Sequence, residues 1–265
     1  MTAETLPALF ISHGAPLFAI EPGTSGPALA KFGASLPADL RGVVIMSPHW
    51  MAQTPAVMTN PQPATWHDFG GFPKALYELQ YPAPGSAELG EEVLGLLHDA
   101  GIDAQGDARR PLDHGAWVPL MHLLPKANVP VVQVALPTSY GPAEVFAMGK
   151  ALRSLRGEGV LVVGSGSMTH NLAEFFGGAR EAAPYVVEFS RWIEAAVVQG
   201  KLEELLDYRR KAPHAARAHP SEDHFLPLFF ALGAGGFGED GVGAPDYLTR
   251  EVMYGILAMD SFAIQ

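Results

Sequence analysis

The chain has 265 residues, 48% hydrophobic and 17% charged, the composition of a globular protein with a sizeable core rather than of a disordered one. A formal charge of −11 with only 17 scattered Lys and Arg argues against nucleic acid or an anionic membrane surface as partner. The absence of cysteine excludes disulfides, thiolate metal sites and a cysteine nucleophile, so any metal must be held by nitrogen and oxygen ligands.

Strand-length apolar runs alternate with helical patterns. A first strand at 8–12 ends on Ser12-His13-Gly14-Ala15-Pro16, a tight turn that neither extends a strand nor starts a regular helix. A helix at 26–35 leads to a second strand at 42–47, closed by Ser47-Pro48-His49-Trp50. A weaker strand at 56–59 precedes a loop at 60–73 that carries Trp66-His67-Asp68-Phe69-Gly70-Gly71-Phe72-Pro73; loops of this length in compact domains tend to be functional. His67 reads either as part of a lid over a pocket or as a loop histidine paired with Asp68.

A second loop at 81–85 gives way to a helix at 86–100, with Ser86 as N-cap, an apolar stripe of Leu89, Val93, Leu96 and Leu97, and Gly101 as its stop. After a weak strand at 102–105, Asp113-His114-Gly115-Ala116-Trp117 opens a helix at 116–124. His114 reads as part of an N-cap motif or as an acid/base residue; adjacent side chains rarely face each other, so a pair with Asp113 is not implied. Strand 131–136 and helix 142–156 follow, then strand 160–164 and the turn Gly164-Ser165-Gly166-Ser167-Met168-Thr169-His170. As a phosphate cradle this turn is weak, for it lacks the spaced third glycine. Helices at 185–199 and 201–207 come next. Asp223-His224 opens a helix at 225–233, a glycine-rich surface excursion runs over 233–245, and a last strand lies near 247–256. His98, His122, His214 and His219 read as surface or capping residues.

Alternation of this kind specifies an α/β fold. One domain spanning 1–265 is expected, with a mostly parallel or mixed sheet and helices on both faces. Ligands in such sheets bind at the carboxyl ends of the strands. Several imidazoles delivered there from distant parts of the chain point to a metal site, hence to a metalloenzyme. No apolar run approaches the ~20 residues of a membrane span; a cytoplasmic monomer or small homo-oligomer is expected.

Together these strings, with Pro7-Ala8-Leu9-Phe10-Ile11-Ser12-His13-Gly14, Tyr81-Pro82-Ala83-Pro84-Gly85 and Asp223-His224-Phe225-Leu226-Pro227-Leu228, resemble the class III extradiol ring-cleavage dioxygenases of the LigB superfamily. Within it the 4,5-DOPA dioxygenase extradiol-like branch is the nearest pattern. The resemblance implies one divalent metal per chain, Fe(II) or Zn(II), on His13, His49 and His224. It places His170 as acid/base, close enough to count as a ligand, and His114 as a second active-site histidine. Much of the superfamily has a glutamate where this chain has His224. The implied reaction adds O2 to a catechol ring beside its hydroxyls, with His67, Trp50, Trp117 and Phe72 as walls for the planar substrate. Two other readings compete: a zinc hydrolase using the same imidazoles to activate water, and a non-catalytic interaction protein that keeps the fold.

Overall fold

Six of the strands come from the first two-thirds of the chain: β1 (Ala8–Ser12), β2 (Gly42–Ala52), β3 (Ala56–Met58), β4 (Gln105–Asp107), β5 (Val131–Pro137) and β6 (Val160–Gly166). The C-terminal segment adds β7 (Asp246–Thr249), the short pair β8 (Val252–Met253) and β9 (Leu257–Ala258), and β10 (Ser261–Ile264). In this computed structural model, which describes residues 5–177 and 181–265, eight strands form one sheet in the order β4-β3-β5-β2-β6-β1-β10-β7. The four central strands, β5, β2, β6 and β1, are parallel. Antiparallel partners close the parallel set on either side, β3 against β5 and β10 against β1. The sheet is mixed, with a parallel centre.

The helices are α1 (Ser25–Ser35), α2 (Lys74–Tyr77), α3 (Ala87–Asp99), α4 (His114–Leu123), α5 (Pro142–Ala151), α6 (Pro184–Val198), α7 (Leu202–Leu206), α8 (Tyr208–Lys211), α9 (Ala215–Ala218) and α10 (Pro227–Ala234). Successive side chains of a strand point to opposite faces, so each central strand feeds two cores. Leu9, Ile11, Val43, Ile45, Leu161 and Val163 pack under Leu29 of α1 and Trp117, Val118 and Leu120 of α4. Phe10, Val44, Met46, Val132, Val134 and Val162 pack under α3, α5, α6 and α10. This two-sided burial explains why these strands carry continuous apolar runs. Ser86 caps α3 as expected, its hydroxyl accepting from Leu89 N at 3.1 Å.

Three departures from the sequence reading matter. First, β2 does not stop at Ser47 but runs to Ala52. Met46 pairs with Val134 and Met51 with Leu136, so five steps along β2 match two along β5. The surplus is a bulge holding Ser47, Pro48, His49 and Trp50. Proline is tolerated within a central strand at such a place because no ladder donor is needed there. Second, the single last strand expected near 247–256 is replaced by β7 and β8, and fully buried β10 lies between β1 and β7. Third, the excursion at 233–245 leaves the core only after Phe237, since residues 233–237 are buried at the end of α10. Among the described residues, no helix is long and apolar enough to cross a membrane.

Candidate metal centre

Five histidines meet above the carboxyl edge of the parallel strands, each delivered by a different device. His13 follows β1, its backbone N–H still bonded to Gly166 O at 2.9 Å. His49 is turned out by the β2 bulge. His114 is the first residue of α4, whose N-cap Asp113 is fully buried and takes Ser47 Oγ (2.8 Å), Arg110 Nη2 (2.6 Å) and Gln133 Nε2 (2.5 Å), tying bulge, helix and β5 together. His170 ends the turn after β6 and is anchored by its N–H on Ala218 O. His224 lies in the turn before α10. Two glycines make the convergence possible. A Cβ on Gly115 would overlap Ser47 Oγ and come within 2.8 Å of His49 Cδ2, and one on Gly166 would overlap the carbonyl oxygen of His224.

The rings of His13, His49 and His224 form a near-equilateral triangle, with centroids 5.2, 5.5 and 5.0 Å apart. His114 approaches His49 to 3.9 Å and His13 to 5.8 Å, and His170 stacks on His224 at 3.5 Å. His13, His49 and His114 each offer one ring nitrogen within 4.8 Å of the others.

The hydrogen bonds behind these rings fix their tautomers. Ser165 Oγ donates to Gly115 O, so at 3.0 Å it accepts from His13 Nδ1. Asp68 Oδ1 accepts from His114 Nδ1 at 3.0 Å, and Asp223 Oδ2 from His224 Nδ1 at 2.6 Å. Three rings therefore carry the proton on Nδ1 and keep Nε2 unprotonated, as metal-bound histidines do when an outer partner takes the other nitrogen. Nε2 of His224 is buried with no partner among the described residues. Nε2 of His49 faces Nε2 of His13 at 3.2 Å. Two imidazole nitrogens bound to one ion at about 2.1 Å stand roughly 3.0–3.4 Å apart. The donor set fits a divalent cation.

Electrostatics favour the same state. Burial, then the neighbouring His49 and His224, hold His13 well below the ordinary histidine value. Burial likewise outweighs the Asp223 hydrogen bond at His224. His49 is pulled down to about 4 by burial and by His114, and His170 to about 4 chiefly by burial. Neutral imidazole is the ligating form. Burial pushes Asp68 up, but the side-chain and backbone hydrogen bonds from His114 prevail and keep it below the usual carboxylate range.

Other expected site residues fall at different depths. Trp117 is fully buried and donates Nε1 to Trp66 O at 2.9 Å, so it backs the wall rather than forming it. Trp50 has one face covered by the Arg110 guanidinium, 4.8 Å from its centroid. Phe69, not Phe72, meets His114, edge to face at 5.5 Å; Phe72 packs behind Phe69. His67 lies 5.6 Å from Trp117, and its ring hydrogen-bonds Leu79 O. Asp68 turns away from His67 to His114, so the loop pair weighed from the sequence does not form. His219, read as surface or capping, is buried against Phe189 and Phe225, with Nε2 on Met168 O at 2.9 Å. Nothing in the sequence marks Asp68 as the partner of His114, Ser165 as that of His13 or Asp223 as that of His224. Asp68 lies inside the His67–Phe69 string, yet its partner is 46 residues away.

Comparison with known proteins decides the family. Residues 7–255 match the model of the catalytic LigB subunit of aromatic ring-opening dioxygenase. The chain belongs to the LigB family. It is 39% identical to the 4,5-DOPA dioxygenase extradiol of Beta vulgaris over 86% of each chain. To the Escherichia coli K12 protein of the same name it is 35% identical, over 88% of this chain and 87% of the relative. A crystal structure of an uncharacterized Escherichia coli K12 protein superposes with a TM-score of 0.79 at 29% identity, covering 98% of this chain and all of the other. The LigB fold is thus shared across nearly the whole chain.

Proposed function

We propose that this LigB-family protein is an extradiol dioxygenase that opens the ring of a substituted catechol with O2, at a divalent metal held by His13, His49 and His224. The single observation that carries the ligand assignment is the buried, unpartnered Nε2 of His224, on a ring whose centroid lies 5.5 and 5.0 Å from those of His13 and His49. The substrate class is supported by the LigB match and by the relatives named 4,5-DOPA dioxygenase extradiol. When bound, a divalent metal supplies a Lewis acid for the catechol oxygens and, as iron, a redox path to O2.

The remaining work falls to the chain. His170 accepts the phenolic proton. It is neutral at pH 7, and its ring makes no hydrogen bond among the described residues, so its one lone-pair nitrogen is free for the task. Parallel stacking with His224 directs the in-plane lone pairs of the two rings along parallel planes. They do not converge on one ion, which supports His170 as acid/base rather than ligand. His114, with Nδ1 engaged by Asp68, turns Nε2 toward the cluster and serves as the second proton-handling group. Phe69 and His67 form the apolar side on which a planar ring lies. A cytoplasmic monomer or small homo-oligomer completes the proposal. The test is product analysis: iron-reconstituted protein given a 4-substituted catechol in air should form a ring-opened semialdehyde that absorbs in the visible.

A zinc hydrolase is the second reading, favoured by the all-imidazole donor set, which is that of known catalytic zinc centres. The convergence of five histidines with tuned outer partners speaks against a purely non-catalytic role.

A further inference from the structure

Asp68 touches two of the clustered rings at once. Its Oδ1 accepts from the backbone N–H of His114 at 2.9 Å and from His114 Nδ1 at 3.0 Å, while Oδ2 lies 3.6 Å from His49 Nδ1. The side chain is 8% exposed. The loop is built to hold it there. Trp66 N donates to Leu112 O at 2.8 Å, and Leu112 N to Ala64 O at 3.0 Å, clamping the residues before Asp68 to those before His114. Trp117 Nε1 bonds Trp66 O from below, and His67 Nε2 ties the loop to Leu79 O at 3.0 Å. The backbone group that Asp68 accepts is one of the otherwise unsatisfied N–H groups of the first turn of α4, where a carboxylate is also favoured by the helix dipole.

We infer that Asp68 is a positioning residue whose carboxylate fixes His114 as the Nδ1–H tautomer, with Nε2 toward His13 and His49, and biases the His49 ring in the same sense. The functional consequence rests on the metal-site reading above. A carboxylate only accepts, so the nitrogen facing it must be the donor. Without it, the His114 ring loses both its orientation and its tautomer preference. The contact to His49 is too long for a hydrogen bond, yet at this burial it still favours N–H over a lone pair on that side. Neutral imidazole ligands also leave the charge of a divalent ion uncompensated. Asp68 supplies one negative charge directly behind the rings, as Asp223 does behind His224.

The test uses 15N-labelled full-length protein free of metal, with the tautomer of each histidine read from long-range proton–nitrogen NMR correlations. Wild-type protein is expected to show His114 protonated on Nδ1. Asp68→Asn is expected to mix the two tautomers and to weaken Zn(II) binding, measured by competition with a chelating dye, by about 10–100-fold with thermal stability little changed. An Nε2–H tautomer at His114 in the wild type overturns the inference without any variant. So does an Asp68→Asn protein with the wild-type tautomer and wild-type zinc affinity. If Asp68→Asn does not fold, Asp68→Ser replaces it under the same criteria. Neither readout uses turnover. A protein that leaves O2 untouched but loses zinc affinity on Asp68→Asn therefore contradicts the dioxygenase reading and still supports the role of Asp68.

Discussion

The His170 ring lies flat on the His224 ring, with centroids 3.5 Å apart and planes 5° from parallel. Two rings so arranged do not aim lone pairs at one ion, so in the proposed assignment these neighbouring histidines take different tasks. His224→Gln is expected to lose bound metal. His170→Gln should retain it while turnover falls by ~10²–10⁴-fold, the usual effect of removing a general base. Metal analysis of both purified variants, alongside kcat, separates the roles; equal metal loss in both would make His170 a ligand.

Gly115 marks the closest approach of α4 to the centre. In Gly115→Ala the added methyl meets Ser47 Oγ and His49 Cδ2, both held by buried hydrogen bonds or packing. The variant is expected to lose about 1–3 kcal/mol of stability, typical of overpacking, and to bind metal more weakly because His49 is displaced. Denaturant midpoints and zinc titration measure the two effects. A variant with unaltered stability and zinc affinity would mean that the helix start shifts without moving His49.

His219 should make the protein acid-sensitive independently of the metal. Burial, opposed by its bond to Met168 O, lowers it from the ordinary 6.5 to about 3. The unfolded chain therefore takes up a proton near pH 6.5 that the folded protein refuses. Stability is complete above that pH and is lost as pH falls from 6.5 toward 3, approaching about 1.4 kcal/mol per pH unit for this one group. His219→Phe starts less stable, having left Met168 O unpaired, but its stability should decline less steeply on acidification. Urea unfolding of both proteins between pH 7.5 and 5 checks this; parallel declines would show that His219 titrates normally.

Strands β1, β2, β5 and β6 were legible because burial on both faces demands uninterrupted apolar runs, and three of the five clustered histidines were visible as residues near the ends of those runs. The bulge in β2 was not. Pro48 reads as a strand terminator, and only the register against β5 reveals that the strand resumes beyond His49. Four-residue β10 was too short to carry a period, although it is an interior strand, paired between β1 and β7. Polar pairing was the least visible level. Asp113 stands next to His114 in sequence but serves Ser47, Arg110 and Gln133, whereas Asp68 reaches His114 across a loop. Neither hydrophobic periodicity nor spacing encodes a contact of that kind. His219 was misjudged for a related reason: its sequence surroundings, Arg217-Ala218 before it and Pro220-Ser221 after it, carry no apolar period and give no sign of Phe189 and Phe225 closing over it.

The central claim is tested most directly by oxygen uptake. Protein stripped of metal, reloaded with Fe(II) under nitrogen and then mixed with air-saturated buffer and a panel of 4-substituted catechols should consume one O2 per ring opened. The same protein loaded with Zn(II), which cannot pass electrons to O2, should consume none until exchanged to iron. An iron form that leaves O2 untouched across the panel, beside a zinc form that hydrolyses an ester or amide, would contradict the dioxygenase assignment and establish the hydrolase in its place.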